Sequence, residues 1–367
     1  METCYPDYSN TGLTVVSAVL NAFGIKDEHP QQKDVAALMA KHDYKKAILM
    51  LFDGMGMDIL EHALPEDSFL RTHIVSEMSA AFPSTTACAT TSIGTCKTPR
   101  EHGWIGWDLY FSEVDKMVAV LINVDEATGE QAAPYHVGRK YAPLTEVYDR
   151  FNEKGMGGHD ISPFGTDVIH NLEEMRDTIL RLSSDDTRRY MYCYWGDPDH
   201  TMHMGGCYDE KVYQIIREID RYVEDLAKQL PEDVLLMVTA DHGLIDSEWV
   251  YLEEHKELTD MLLRAPSVEP RACAFYVKKE CMEAFPKLFN SLYGEHFRLL
   301  TAKEFVEGGY LGGGEDHPKL YDFIGDYIAL SLDKTSISLL KEDKDLIGIH
   351  AGLTRQEMKV PLIVAKK

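Results

Sequence analysis

Two carboxylate–histidine clusters and a lone aspartate are the residues of this chain that could do chemistry. Asp241-His242 forms one cluster, the segment from Asp197 to His203 contains the other, and Asp53 directly follows an apolar run. Zinc binds imidazole nitrogen and carboxylate oxygen, and a catalytic zinc site keeps one position open. Two such ions about 4 Å apart can hold both the attacking and the leaving oxygen of a displacement at phosphorus. These residues therefore predict phosphoryl-transfer chemistry.

The second cluster contains two alternative pairs of ligands. Asp199 and His203 are four residues apart and would share one face of a helix, whereas Asp197 and His200 form a competing pair at spacing three. His350 stands in a loop of small residues before the last strand and is a candidate third ligand for the first pair. Spacing alone leaves both pairs open.

Two adjacent threonines supply the candidate nucleophile. Thr85 and Thr86 follow Phe82-Pro-Ser and precede a segment that predicts a helix. A hydroxyl at a helix N-terminus lies beside unpaired N–H groups that favour an anion. It becomes a good nucleophile where a base or a metal lowers its pKa, and its commoner use is as an N-cap.

Three apolar runs are expected to position these residues. Residues 47–52, 190–195 and 234–238 predict short strands that are buried on both faces, and a candidate ligand follows each one. In open α/β sheets, ligands bind at the carboxyl ends of the strands. An amphipathic helix is predicted between the second and third runs, at about 212–230. We therefore predict an α/β fold with a largely parallel central sheet and helices on both faces.

The stretch from 244 to 330 has a different pattern. It contains a short apolar run, a helical segment and two glycine clusters. We predict a catalytic core formed by residues 1–243 and 331–367, interrupted by a small α+β insertion at 244–330. The insertion is either a cap over the site or a packed peripheral subdomain.

The amino-acid composition limits the kinds of molecule that the protein could bind and the cellular compartment in which we expect it. The formal charge of −24 argues against a nucleic-acid polymer, because binding to its backbone needs lysine and arginine. A small phosphate ester remains compatible, since metal ions can invert the local charge. No apolar run is long enough for a membrane span, and the first residues do not resemble a secretory signal. Seven cysteines without a Cys-x-x-Cys pair predict reduced thiols and a cytoplasmic protein.

Together these motifs resemble the alkaline phosphatase superfamily, and most closely the type I phosphodiesterase/nucleotide pyrophosphatase family. The resemblance spans nearly the whole chain from Asp53 onward. The segments that carry it are Phe82-Pro-Ser-Thr-Thr-Ala, Thr95, Pro99-Arg-Glu-His-Gly103, Asp197-Pro-Asp199 with His203, Thr239-Ala-Asp-His-Gly243 and His350-Ala-Gly-Leu.

The resemblance implies two zinc ions per chain and a threonine nucleophile. One ion would be held by Asp199, His203 and His350. The other would be held by Asp53, Asp241, His242 and the hydroxyl of Thr86. Thr86 closes the Phe-Pro-Ser-x-Thr segment, and counting back from the Ser92 to Thr95 segment gives the same residue. Thr86 would form a phosphothreonine intermediate, and Thr85 is the fallback.

The chain departs from the family pattern at three positions. Ala89 stands where nucleotide-cleaving members have an asparagine that binds a phosphate oxygen. Cys96 and Ala351 stand where the family has glycine, after Thr95 and His350. The first departure means that the resemblance implies phosphoryl transfer more directly than it implies nucleotide specificity.

We therefore expect a zinc-dependent phosphate ester hydrolase, in particular a phosphodiesterase or nucleotide pyrophosphatase. Alternatives on the same core are a phosphomonoesterase, a phosphonate hydrolase or a phosphomutase. The alternative outside the enzymes is a binding protein that metal ions stabilise and that has no catalytic activity. A sulfatase is set aside, because the segment from Cys96 to Arg100 has one residue too many before its proline. Trp104, Trp107 and Tyr110 either stack on a nucleobase or belong to the core.

Overall fold

The computed structural model describes residues 2–341 and 346–365. The predicted core ranges 1–243 and 331–367 therefore include Met1, 342–345 and 366–367, which lie outside the described residues. The strands are β1 (Lys46–Phe52), β2 (Ile74–Ser79), β3 (Asp108–Phe111), β4 (Lys116–Ala119), β5 (Val124–Asp125), β6 (Gly157–Ser162), β7 (Asp167–Val168), β8 (Arg189–Trp195), β9 (Val234–Thr239), β10 (Ile245–Asp246), β11 (Glu248–Tyr251), β12 (Ser267–Glu269), β13 (Ala272–Phe275), β14 (Phe297–Thr301), β15 (Tyr327–Ser331), β16 (Thr335–Ser338), β17 (Gly348–Ile349) and β18 (Lys359–Ala365).

Helices connect most of these strands. They are α1 (Gly12–Ala22), α2 (Lys33–Lys41), α3 (Met57–Ala63), α4 (Phe69–Thr72), α5 (Thr86–Thr95), α6 (Pro99–His102), α7 (Val137–Tyr141), α8 (Val147–Glu153), α9 (Leu172–Ser183), α10 (Asp199–Gly205), α11 (Glu210–Gln229), α12 (Lys256–Thr259), α13 (Phe285–Tyr293), α14 (Ala302–Glu307), α15 (Leu320–Ile324) and α16 (Arg355–Met358). One packed group contains α1, α2, α5 and α8, and another contains α3, α4, α9 and α11.

The central sheet has the strand order β2-β18-β9-β1-β8-β6-β7. Strands β9, β1, β8, β6 and β7 pair in parallel, while β18 is antiparallel to both of its neighbours. Every residue of β1 and β9 is buried, which explains why both read as continuous apolar runs. The predicted α/β class is confirmed, with a central sheet that is mixed.

A second sheet lies outside this parallel arrangement. Its order is β14-β15-β13-β12-β3-β4-β5, and its neighbouring strands pair antiparallel. Four strands come from residues 267–331, and β3 to β5 come from residues 108–125, joined where Val268 pairs with Asp108. The sheet therefore continues beyond the segment 244–330. The domain division and the cap stay predictions.

The predicted amphipathic helix is α11, which runs from Glu210 to Gln229. Asp209 caps it by accepting a hydrogen bond from the Lys211 amide. Its apolar residues recur on one face and are buried against neighbouring helices, including α3, α4 and α9. The prediction of a helix here is confirmed.

Two features bear on the predicted compartment. Among residues 2–341 and 346–365, no helix combines the length and the apolar character that crossing a membrane requires. The seven cysteines are free thiols, and five of them are buried. The cellular location stays a prediction.

Candidate functional site

The ends of three neighbouring parallel strands bring four of the predicted residues together. Asp53 follows β1, Asp241 and His242 follow β9, and Asp199 begins α10 shortly after β8. Because β9, β1 and β8 are adjacent and parallel, their carboxyl ends lie at one edge of the sheet. The loops are also joined to each other. The Gly54 amide donates to Asp241 Oδ1 at 3.1 Å, and the Asp199 amide donates to the Asp53 carbonyl at 3.0 Å.

Thr86 occupies the first position of α5 and points at this edge. Its Oγ1 lies 3.1 Å from His242 Nε2 and 3.3 and 3.4 Å from the two carboxylate oxygens of Asp53. Thr85 precedes it as the N-cap residue, with extended backbone. The Thr85 hydroxyl is directed elsewhere, because it donates to Glu269 Oε1 at 2.5 Å. Of the two threonines, Thr86 is the one whose hydroxyl contacts the cluster.

The histidine that the sequence places far downstream also reaches the cluster. His350 Nε2 lies 3.8 Å from Asp199 Oδ1, and His203 Nε2 lies 3.2 Å from Asp199 Oδ2. The other ring nitrogen of His203, Nδ1, is 2.6 Å from the Gly348 carbonyl. A carbonyl acceptor keeps a proton on Nδ1 and directs Nε2 toward Asp199, which is the orientation usual for a metal-binding histidine.

The seven predicted site residues thus lie in one place, and the competing pair does not join them. One group of ligand atoms, mutually within 4.8 Å, comes from Asp199, His203 and His350. A second comes from Asp53, Asp199 and His242, so Asp199 belongs to both groups. Asp241 is adjacent, with its Oδ2 3.6 Å from His242 Nε2. In the competing pair, the Asp197 carboxylate accepts a hydrogen bond from Thr201 and His200 is exposed. The individual roles stay predictions.

Unpartnered buried atoms test whether this cluster fits metal ions. Asp199 Oδ1, Asp241 Oδ2 and His350 Nδ1 are buried and have no hydrogen-bond partner within the described ranges 2–341 and 346–365. Leaving such groups unpaired costs about 1–3 kcal/mol each, and more for charged groups. A set of carboxylate oxygens and imidazole nitrogens suits zinc or a related transition metal. The donor atoms present therefore fit a metal site.

The electrostatics of the cluster favour the binding of a positive charge among its carboxylates. Burial, together with the nearby Asp241 and Asp199, raises the pKa of Asp53 well above its ordinary value. Burial also lowers the pKa of His350 well below its ordinary value, and the neighbouring His242 adds to this effect. His350 is therefore neutral near pH 7, the form that binds a metal. Metal ions at this position would offset the repulsion between the carboxylates.

Tyr194 is a contact of the site that the sequence analysis missed. Its hydroxyl donates to Asp53 Oδ2 at 2.5 Å and so orients a predicted ligand. It is the last of three tyrosines at alternate positions of β8, after Tyr190 and Tyr192. Alternate residues of a strand share one face. Tyrosines at alternate positions, in a strand that ends beside candidate ligands, were the sequence signal that could have identified Tyr194.

Glu269 is a second residue that was missed, and its sequence context offered no signal. It ends β12 and accepts hydrogen bonds from Thr85 Oγ1 at 2.5 Å and from the Trp107 amide at 2.8 Å. The residue is only 8% exposed, and burial raises its pKa to about 7. Glu269 thereby links the second sheet to the segment that carries Thr86.

A cavity of about 570 Å³ opens from Asp53 and Thr86. Its lining residues lie between positions 53 and 200, and within the described chain the segment 244–330 supplies none of them. Trp104 and Trp107 both line it. Trp107 has part of its surface exposed, whereas Trp104 is 1% exposed and donates its ring N–H to the Ala142 carbonyl. Tyr110 lies outside the lining. Trp104 thus belongs to the core, and Trp107 is available to a ligand.

Known proteins match this chain in sequence and in fold. The model of the family "Type I phosphodiesterase / nucleotide pyrophosphatase" matches residues 47–287. Ectonucleotide pyrophosphatase/phosphodiesterase family member 7 of Mus musculus is 24% identical over 172 residues, which are 42% of this chain and 36% of that protein. Its Rattus norvegicus counterpart gives the same figures. The matched stretch therefore spans about a third of the length of these curated relatives.

Solved structures show the same fold. Murine ectonucleotide pyrophosphatase / phosphodiesterase 5 superposes with a TM-score of 0.66 at 18% identity, covering 88% of both chains. An inactive variant of that protein, in complex with AMP, gives the same values. The human protein gives a TM-score of 0.65 at 19% identity, again over 88% of both chains.

Proposed function

Because the chain belongs to the type I phosphodiesterase/nucleotide pyrophosphatase family, we propose that it is a metal-dependent phosphoric ester hydrolase that cleaves phosphodiesters. Thr86 is the proposed nucleophile, and two zinc ions are the proposed cofactors. One contact carries this proposal. The Thr86 hydroxyl lies 3.1 Å from His242 and 3.3 Å from Asp53, inside a buried cluster of carboxylates and imidazoles.

The proposed metal ligands divide into two sets that surround the nucleophile. Asp199, His203 and His350 would hold one ion, and Asp53, Asp241, His242 and Thr86 would hold the other. When bound, zinc lowers the pKa of a coordinated hydroxyl and neutralises charge that develops on a phosphate. The unpartnered atoms of Asp199, Asp241 and His350 support this assignment.

The residues of the chain hold and direct the reacting hydroxyl. Asp53 accepts a hydrogen bond from Thr86 Oγ1, and Tyr194 holds the Asp53 carboxylate in place. Thr86 Oγ1 attacks phosphorus, a bond forms between them, and the bond from phosphorus to the leaving oxygen breaks in line. Water then cleaves the phosphothreonine and regenerates the hydroxyl. Thr86 begins α5, so a phosphate on its hydroxyl would lie by the N–H groups of the first turn, which favour an anion.

The cavity beside Thr86 supports a diester over a monoester. A diester carries a second organic group, and a pocket of about 570 Å³ is within the size range that holds a small organic ligand. A murine structural neighbour binds AMP as an inactive variant. A nucleotide is therefore one candidate for this group, and Trp107 on the cavity wall is available to stack on a base.

Hydrolysis of chromogenic esters tests the proposal. Metal-loaded protein should hydrolyse bis(p-nitrophenyl) phosphate with a kcat/KM at least about tenfold above that for p-nitrophenyl phosphate, a difference of about 1.4 kcal/mol. The reason is that the only organic group of the monoester is its leaving group, whereas the diester keeps a second organic group that the cavity can hold. A faster reaction with the monoester would point to a phosphomonoesterase. No hydrolysis of either ester, with metal bound, would indicate a binding protein without catalysis.

A further inference from the structure

The floor of the cavity beside Thr86 carries tyrosine hydroxyl groups that have no hydrogen-bond partner in the described part of the chain. Tyr190, Tyr192 and Tyr194 lie at alternate positions of β8, and all three line the cavity. Tyr194 bonds to Asp53, but the hydroxyls of Tyr190 and Tyr192 are buried without a hydrogen-bond partner among residues 2–341 and 346–365. Tyr190 is only 1% exposed. Buried polar groups are nearly always paired, so these two hydroxyls indicate a bound molecule or water.

A carboxylate on the neighbouring strand lies beside them. Asp160 of β6 pairs in register with Tyr192 of β8, and Asp160 also lines the cavity. Its Oδ1 is buried and, in the described part of the chain, likewise has no hydrogen-bond partner. Burial raises the pKa of Asp160 to about 6, so the carboxylate is largely ionised at pH 7. Three unpartnered oxygen atoms, one of them charged, therefore occur on adjacent strands at this end of the cavity.

The remaining charges of the cavity favour a cationic ligand here. Arg139 and Glu146 line the same region and form an ion pair, with Arg139 Nη1 2.5 Å from Glu146 Oε1. Arg139 is the one arginine or lysine of the described lining, so no unpaired cation offsets Asp160. A second phosphate or a carboxylate in this position would be repelled. A donor of hydrogen bonds with positive charge would satisfy the oxygen atoms, and the faces of aromatic rings such as Trp107 attract cations.

We propose that Asp160, Tyr190 and Tyr192 form a subsite that binds an ammonium group, or a similar cationic hydrogen-bond donor, on the organic part of the phosphodiester. This inference rests on the proposed function, because it names the substrate class of the same site. The distance along β8 from Tyr194 to Tyr190 is roughly 13 Å, at about 3.3 Å per residue. The cation is therefore separated from phosphorus by a chain of several atoms.

Three p-nitrophenyl phosphodiesters that differ only at the chain end test the subsite. Their second groups are aminohexyl, hydroxyhexyl and hexyl. The intact metal-loaded protein should have its lowest KM for the aminohexyl ester. Asp160→Asn keeps the shape of the side chain and removes its charge. It should raise that KM about tenfold or more, because hydrogen bonds to charged groups are the stronger ones, and it should leave the hexyl ester unchanged.

Matched tyrosine variants separate the subsite from general effects on the fold. Tyr192→Phe should raise the KM for the aminohexyl ester about threefold, as expected for one lost hydrogen bond. Tyr222→Phe is the control, because Tyr222 of α11 also has a buried hydroxyl without a partner in the described residues but lies outside the cavity lining. It should leave all three KM values unchanged.

Binding of hexylammonium ion by calorimetry tests the subsite independently of turnover. If hexylammonium binds to the intact protein and Asp160→Asn abolishes this binding, the inference is supported. It is then supported even if none of the esters is hydrolysed, because the absence of hydrolysis would overturn only the proposed function. Hydrolysis with equal KM values for the three esters, together with no hexylammonium binding, would overturn the inference and leave the proposed function standing. Equal effects of Tyr192→Phe and Tyr222→Phe would also overturn it.

Discussion

Replacement of Thr86 by alanine is expected to reduce kcat for bis(p-nitrophenyl) phosphate by about 10⁴-fold or more, the scale of effect when a nucleophile is removed. The Thr86 hydroxyl is 3.1 Å from His242 and 3.3 Å from Asp53, and alanine leaves both residues in place. The variant should therefore keep most of its bound metal. Thr86→Ser should recover part of the rate, since the attacking oxygen survives in nearly the same position.

Thr85→Ala is the matched control for this prediction. Thr85 donates to the buried Glu269, so its removal takes away one of the two hydrogen bonds described for that carboxylate and leaves the one from the Trp107 amide. We expect a loss of about 1–3 kcal/mol in the free energy of unfolding and a much smaller loss of kcat. Thermal unfolding and steady-state kinetics on one preparation give both values. A Thr86→Ala protein with normal turnover, beside an inactive Thr85→Ala protein, would assign the nucleophile to Thr85.

The second large effect is expected from removal of a predicted metal ligand. His350→Ala and Asp241→Ala should each lower the bound metal content and reduce turnover to near background, because the two ions act on one phosphate as a unit. Both variants should also melt at a lower temperature, since a ligand present at 100 times its Kd stabilises the native state by about 2.7 kcal/mol.

His200→Ala is the matched control for the ligand variants. It belongs to the competing pair with Asp197, and it is exposed beside the cluster. The variant should retain its metal. If His200→Ala lost metal while His350→Ala kept both metal and turnover, the ligand pair would be Asp197 and His200, and the assignment of Asp199 and His203 would be wrong.

The positions of three central strands could be predicted from the sequence, because a strand that is buried on both faces forms a continuous apolar run. Strands β1, β8 and β9 were predicted in this way, and each ends just before a candidate ligand. β1 and β9 are buried throughout, whereas Tyr192, Tyr194 and Trp195 of β8 are only partly buried because they line the cavity. The helix α11 was predicted from its period. The second sheet was not predicted as it stands, because its strands come from two distant parts of the chain and short antiparallel strands leave a weak pattern.

Two departures from the family pattern occur at residues whose backbone has a positive φ angle. Cys96 and Ala351 stand where the family has glycine, and they have φ values of 54° and 86°. Glycine adopts positive φ without steric cost, whereas other residues pay roughly 1 kcal/mol or more. Local contacts hold the Ala351 loop, since the Ala351 amide donates to the Ser84 carbonyl at 2.8 Å. The loop thus keeps the conformation without the residue that favours it.

The third departure, Ala89, lies away from the cavity lining. It is buried in a small apolar cluster with Ala81 and Cys88, so it offers no polar group to a phosphate. Thr90 lines the cavity instead, and its hydroxyl donates to the Thr86 carbonyl at 2.6 Å. Glu269 could not be assigned from sequence, because its contacts with Thr85 and Trp107 depend on strands that pair across long separations.

Metal content measured together with activity tests the central claim most directly. Purified protein should contain close to two zinc ions per chain, or an equivalent transition metal, by elemental analysis. Removal of the metal by a chelator should abolish hydrolysis of bis(p-nitrophenyl) phosphate, and added zinc should restore it. Protein without bound metal that hydrolyses the diester at full rate in excess chelator would contradict the account.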